Sequence, residues 1–403
     1  MTEKVSLSLF DSRTRLADHS EPTPPYFLKA QDLFVVHNGH EVFLKKIRSL
    51  SPNIPSLGNV VLAPGLATNA NIFRIDDMGG FLRMDHNRSF ANMLAARGFT
   101  VYLYHPGYTQ RVHNRYVYQH CRESRYYHRR HRVLESLDFD FLVNVELPLV
   151  LGKVAEDSGE DDVSWVGYSL GGMLMYAYLA RNPQARVHNL AAIGSPVTLN
   201  QIFIRAIPYT NMATKALGFE EAAFVGAVSQ NFVPITRIIR RMPGSVLKAN
   251  PLSMFLWNPF NISGKVIKIL LGKIVEPIPR SLENSFSQMI AKKLECPIYG
   301  TGVLKSIDDA RRRKTNFLFF FGENDMLATP DSVLLAHEIL TPKDSRNLLG
   351  VKSAGHVDLI VGNNAITKVW RPCTEWLVEK TRRRLKLIEG SEKPPALSTA
   401  LTS

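Results

Sequence analysis

The sequence predicts an α/β protein with a mostly parallel central sheet, helices on both of its faces, and a mostly helical insertion. Three observations lead there. Short apolar β-type runs alternate with helical stretches from about residue 59 to 199, and again beyond about residue 316. Such alternation makes parallel strands joined by crossover helices, with a sheet buried on both sides. Between about 200 and 300 the alternation fails, and Pro208, Pro234, Pro243, Pro251, Pro259, Pro277 and Pro279 break the apolar runs. Finally, 403 residues that are 45% hydrophobic and 21% charged can bury a large core, and that balance excludes disorder, collagen and coiled coil.

In chain order, residues 1–28 are polar, contain Glu21-Pro22-Thr23-Pro24-Pro25, and are expected as a loosely held arm. Apolar runs on either side of Asn38-Gly39 predict a hairpin, because a type I′ turn needs positive φ at both central residues. Asn59–Ala63 reads as a buried strand ending in Pro64-Gly65, Phe90–Ala96 as a helix and Phe99–Tyr104 as a strand. Phe141–Val154 reads as a helix, Val163–Gly167 as a strand, Leu170–Arg181 as a helix stopped by Asn182-Pro183, and Leu190–Ile193 as a strand. After the insertion come a strand (Asn316–Phe321), a helix (Pro330–Leu340), a strand (Arg346–Val351) and a last helix (Ala365–Leu385). The core thus spans 29–199 and 301–388, the insertion 200–300 is expected to cap the active edge of the sheet, and 389–403 reads as a disordered tail.

Cys121, Cys296 and Cys373 are widely spaced and form no CxxC pair, so neither a zinc site nor a disulfide framework is expected, and no cofactor is implied. The opening MTEKVSLSLFDSRTR lacks an apolar stretch of signal-peptide length, and no run approaches the ~20 apolar residues of a membrane span. A cytoplasmic or peripheral membrane location is expected. The net charge of +13 is concentrated in two stretches. Residues 111–132 contribute +6, with seven arginines interleaved with Tyr116, Tyr118, Tyr126 and Tyr127, and residues 200–300 contribute +7. Rings among cations suit weak docking on an anionic membrane. No recognition motif accompanies them, so nucleic acid is not expected as a partner.

The chemistry starts at Gly167-Tyr168-Ser169-Leu170-Gly171, followed by Gly172. This G-x-S-x-G lies between a predicted strand and a predicted helix, the context of a nucleophile elbow that pushes a serine hydroxyl out at the sheet edge. A serine needs a base, and the base needs an acid to orient it. In this arrangement they follow in the order Ser, Asp or Glu, His. Asp325 follows the strand at Asn316–Phe321, with Glu323 and Asp331 as rival carboxylates, and His356 follows the last strand in Ala354-Gly355-His356. His337, within a helix, reads as a surface residue. The oxyanion is expected to meet the backbone N–H groups of Leu170, after the nucleophile, and Leu66, in Pro64-Gly65-Leu66-Ala67.

These segments resemble the acid-lipase branch of the α/β-hydrolases, the gastric and lysosomal lipases and their relatives. Pro64-Gly65-Leu66-Ala67 with Asn69 and Ile72 is similar to that family's oxyanion loop, although Pro64 stands where many lipases have His. Phe90–Phe99 is similar to its helix entering a strand. Phe139-Asp140 with Glu146-Leu147-Pro148 is similar to its F-D…D-L-P helix, and His356-Val357-Asp358 to its H-x-D. A looser similarity to polyhydroxyalkanoate synthases covers Pro64-Gly65-Leu66 and Ser89–Tyr104; those enzymes use Cys where this chain has Ser169. The expectation is a serine hydrolase cleaving a carboxylic ester of a hydrophobic acyl substrate. The alternatives are an acyltransferase with the same triad and an alcohol or thiol acceptor, or a non-catalytic binding protein on this fold.

Overall fold

A computed structural model describes residues 28–38, 40–75, 89–109, 137–199, 242–248, 256–276, 278–292, 296, 298–309, 315–342 and 344–391. Strands β1 (Leu28–His37) and β2 (His40–Ser49) pair antiparallel from Leu28↔Ser49 to His37↔His40. Asn38 takes φ +51°, the left-handed conformation that the two-residue turn demands. β2 also pairs antiparallel with β4 (Thr100–His105). From β4 onward the sheet is parallel through β3 (Asn59–Ala63), β5 (Val163–Tyr168), β6 (Val187–Ile193), β7 (Asn316–Gly322) and β8 (Leu348–Val351). The order is β1-β2-β4-β3-β5-β6-β7-β8.

Connections leave β3 toward β4 on one side, and from β5 onward they run to the other. Such a switch point opens a crevice beyond the carboxyl ends of the strands, where open α/β sheets hold ligands.

Strand side chains alternate between two cores. Val61 and Ala63, Tyr102 and Tyr104, and Phe317 and Phe319 face one; Val60 and Leu62, Val101 and Leu103, and Leu318 and Phe320 face the other. Each fully buried side chain such as Phe319 or Phe320 contributes about 1.5–3 kcal/mol by leaving water. The first core is covered by helix α2 (Leu147–Ser158), α3 (Leu170–Arg181), α7 (Thr301–Asp309) and α8 (Pro330–Leu340). The second is covered by α1 (Phe90–Ala96), by the chain from Val357 to Val378, and by insertion residues Trp257, Ile262, Ile267, Leu270 and Ile274.

The described parts of the insertion are largely helical: α4 (Gly244–Lys248), α5 (Gly264–Ile269) with a π-helical continuation over Leu270–Ile274, and α6 (Arg280–Lys292). The arm 1–27, the Arg-Tyr stretch 111–132 and most of 200–255 lie outside the described residues.

Several boundaries differ from expectation. α2 is entered through a helical turn at Phe139–Phe141, capped by Asp138, and a π-helical stretch Leu142–Glu146. β6 begins at Val187, three residues early, because its first residues pair with β5 beyond the apolar run. Residues 345–347 form a 3-10 turn capped by Asp344, so β8 starts only at Leu348. The last helix, α9 (Arg371–Ser391), is entered through a π-helical stretch Ile366–Trp370 and runs through positions 389–391, which were expected in the tail.

Candidate active site

Ser169 stands between β5, all six residues of which are buried, and α3. Its φ of +52° with ψ of −115° is a conformation that a side-chain-bearing residue adopts at a cost of about 1–3 kcal/mol. The turn is held by its surroundings. Ser169 N donates to Ile193 O at 2.9 Å, and Ser169 O accepts from Met173 N at 3.2 Å. Trp165 Nε1 donates to Gly171 O at 3.0 Å, tying the strand to the helix. A Cβ on Gly171 would lie 2.3 Å from Ala63 O, so only glycine lets α3 pass this close to β3.

His356 and Asp325 come to this elbow from the ends of β8 and β7. His356 Nε2 lies 2.9 Å from Ser169 Oγ, and His356 Nδ1 lies 2.7 Å from Asp325 Oδ2. A carboxylate only accepts, so Nδ1 carries the ring proton and Nε2 accepts from the serine hydroxyl. The other Asp325 oxygen accepts from Leu327 N and Ala328 N at 2.9 and 2.8 Å. One carboxylate therefore both closes its turn and orients the imidazole. Asp325 and His356 are 2% and 6% exposed, so acid and imidazole are shielded from water, while Ser169 is half-buried. Glu323 and Asp331, the rival carboxylates, are exposed and outside it. Thr329 occupies the N-cap of α8 without a side-chain capping bond. His337 is buried, not on the surface as expected: it packs edge-on against Phe319, and its Nε2 lies 3.0 Å from Asp344 O.

Leu170 is the first residue of α3, where helix amides point outward along the axis. Leu66 lies in the turn after β3. A Cβ on Gly65 would stand 3.1 Å from Ser169 Cβ, so the peptide carrying the Leu66 N–H passes directly beside Ser169. The next residue, Ala67, has φ +57°, a left-handed conformation costing about 1–2 kcal/mol for a residue with a side chain.

Sequence reasoning did not assign roles to the groups around these loops. Asp358 is fully buried, and its Oδ2 accepts from Gly355 N at 2.7 Å and from insertion residue Asn258 N at 2.6 Å. Burial pushes its carboxyl up to about 6; the two amide donors pull it down, and the Asp325 charge raises it. Val357 N donates to Leu256 O at 2.8 Å, so the insertion is bonded to the loop that carries His356. Tyr168 stacks obliquely on the His356 ring, with centroids 5.1 Å apart, and donates its hydroxyl to His356 O at 3.3 Å. Burial, reinforced by the Asp325 and Asp358 charges, holds that phenol well above its usual range, so it stays a donor.

Glu146 is fully buried. It accepts from Gly107 N at 2.8 Å and from the Tyr104 hydroxyl, and lies 2.8 Å from His40 Nε2. Asn69, Glu146 and Asp358 all belong to motifs quoted above, which was the one signal in the sequence that could have marked them. Among the described residues, no group of three or more His, Cys, Asp or Glu is placed to hold a metal ion. No described helix is long and apolar enough to cross a membrane.

No protein-family model matches the sequence, and no curated protein matches it either. Solved structures do. A lipase candidate from Sulfolobus solfataricus aligns over 88% of this chain and 93% of its own, with 16% identity and a TM-score of 0.54. A thermophilic esterase from Thermogutta terrifontis aligns over 88% and 99%, with 10% identity and a TM-score of 0.48. The thioesterase domain from the curacin biosynthetic pathway aligns over 87% and 99%, at 13% and 0.47. At 16% identity the likeness to the Sulfolobus protein speaks for the fold alone. With its mostly parallel eight-stranded sheet and the helices on both faces, the chain has the α/β-hydrolase fold.

Proposed function

We propose that this chain is a serine ester hydrolase whose triad is Ser169, His356 and Asp325. The observation that carries the reading is the hydrogen-bonded line from Asp325 Oδ2 through the His356 ring to Ser169 Oγ, at 2.7 and 2.9 Å, on a strained strand-to-helix turn. Ser169 Oγ attacks the ester carbonyl while His356 Nε2 takes its proton. Asp325 holds the imidazole in the required tautomer and stabilises the imidazolium. The oxyanion of the tetrahedral intermediate accepts from the N–H groups of Leu66 and Leu170. His356 then protonates the departing alcohol. Water, activated by the same histidine, attacks the acyl-enzyme and releases the acid.

The acid-lipase resemblance makes hydrophobic acyl esters the substrate class. Peripheral docking on anionic membrane, through the basic stretches, completes the reading. Turnover of esters of graded acyl length tests it. Hydrolysis should rise with acyl length and vanish in Ser169→Ala; a profile independent of acyl length would remove the lipid-like substrate. Adding alcohol or thiol acceptors to the same assay separates hydrolysis from acyl transfer by the products formed.

A further inference from the structure

The Leu66 N–H belongs to the same planar peptide unit as the Gly65 carbonyl, so whatever holds the Gly65 oxygen also aims that N–H in the opposite direction. Three donors converge there. Thr68 Oγ1 donates to Gly65 O at 2.8 Å, Thr68 N at 3.3 Å and the Tyr108 hydroxyl at 3.4 Å.

Thr68 and its neighbours are fixed from the insertion. Thr68 bridges Val275 in antiparallel fashion, Glu276 N donates to Ala67 O at 2.8 Å, and Asn69 N donates to Ile274 O at 3.0 Å. The Asn69 side chain donates to Lys273 O at 3.0 Å and to Glu276 Oε1 at 2.7 Å. Asn69 and Glu276 are both buried, at 0% and 1% exposure. Left-handed Ala67 thus has its C=O bound by Glu276 N, and such outside bonds are how an unfavourable backbone conformation is made to persist.

We infer that Tyr108 and the Asn69–Glu276 pair are positioning residues for the oxyanion turn, so that the insertion helps to aim the Leu66 N–H at the substrate oxygen. The inference rests on the reading of Ser169 as nucleophile. It gives the insertion a part in the chemical step beyond covering the site. An N–H that is displaced or misaimed loses most where charge develops, in the transition state, and little in ground-state binding.

Two arms test it on the full-length protein. In the first, hydrogen–deuterium exchange is followed over residues 62–70. Asn69→Ala should speed exchange there by about 10-fold or more and leave the Ser169 segment unchanged, while Glu276→Gln, which keeps the acceptor, should stay close to wild type. In the second, ester turnover and affinity for an alkyl boronic acid are measured for Tyr108→Phe, Asn69→Ala and Glu276→Gln. Tyr108→Phe and Asn69→Ala should lower kcat by about 10- to 100-fold with KM little changed, boronate affinity falling in parallel, and Glu276→Gln should remain within a few-fold. Tyr108→Phe keeps the ring in place and covers the event that Asn69→Ala fails to fold. Unchanged exchange in Asn69→Ala overturns the clamp itself. Normal kcat in both loss variants, or an equal loss in Glu276→Gln, overturns its role in aiming the donor. Absence of any Ser169-dependent ester turnover in the wild type overturns the hydrolase reading and this inference with it, whatever the exchange arm shows.

Discussion

Ser169 is held by residues a few positions from it and by the neighbouring strand, whereas the turn of Leu66 and the loop of His356 are tied to insertion residues 207 and 100 positions distant from their partners Asn69 and Asp358. The first side of the site is a local device: a buried strand, a strained residue, a glycine that lets the helix pass, and an indole bonded across the turn. The second side is a set of long-range bonds that form only when Leu256–Glu276 is seated. This comparison separates two kinds of fragility. Damage to the elbow should strike the fold of the core, while damage to the insertion contacts should strike alignment first.

The largest effect belongs to the line of groups that joins the two sides. His356→Ala and Asp325→Ala should each lower turnover by about 10³- to 10⁶-fold, and the double variant should lose little more than the worse single one, because triad members act as a unit. Multiplicative losses would mean that one of the two acts elsewhere. Next comes the elbow. Gly171→Ala places a Cβ 2.3 Å from the Ala63 carbonyl, with backbone on both sides of the clash. Denaturant unfolding should show a loss of more than about 3 kcal/mol. Gly302→Ala, in α7 with open space around it, should instead gain up to about 1 kcal/mol. Equal responses at the two glycines would remove the idea that the elbow is sterically over-determined.

The base-loop side should answer to pH. The Asp358 carboxyl is raised to about 6 by burial, against an unfolded value near 3.9. Between those values the folded chain binds more protons than the unfolded one, so this group's contribution to stability declines as pH rises from about 4 to 6. Asp358→Asn should abolish that component, flattening the stability curve by about 2–3 kcal/mol across the interval. A curve of unchanged slope would show that the carboxyl is not what titrates there. The smallest effect on stability is at the backbone of Ser169. Ser169→Gly should abolish turnover yet raise stability by about 1 kcal/mol, by releasing the strain at φ +52°. Lower stability would mean that the elbow is not strained.

The same division decides what could be read in advance. The elbow, α1, α3 and α8 have the boundaries that periodicity and breakers predict, since each follows from neighbouring residues. The hairpin follows from Asn38-Gly39. Chain order and strand-end position pointed to Asp325 and His356, and these two residues meet at Ser169 in the structure. The positions of Tyr108, Asn69 and Glu276 depend on which distant segments pair, and no spacing in the chain encodes that. His337 was misread because a histidine in an amphipathic helix looks polar, while its ring lies on the aromatic face of β7 and finds a carbonyl. Tertiary packing decided against the local pattern there, as it did for the early start of β6, whose first residues are recruited by β5.

The central claim is that Ser169 is a nucleophile activated by His356. Its most direct test is labelling of the folded protein with an alkyl fluorophosphonate, followed by mapping of the modified peptide. The account expects a single stoichiometric adduct on Ser169, labelling slowed by several orders of magnitude in His356→Ala, and none in Ser169→Ala. An adduct on another residue, or one that forms on Ser169 at the same rate without His356, would contradict it.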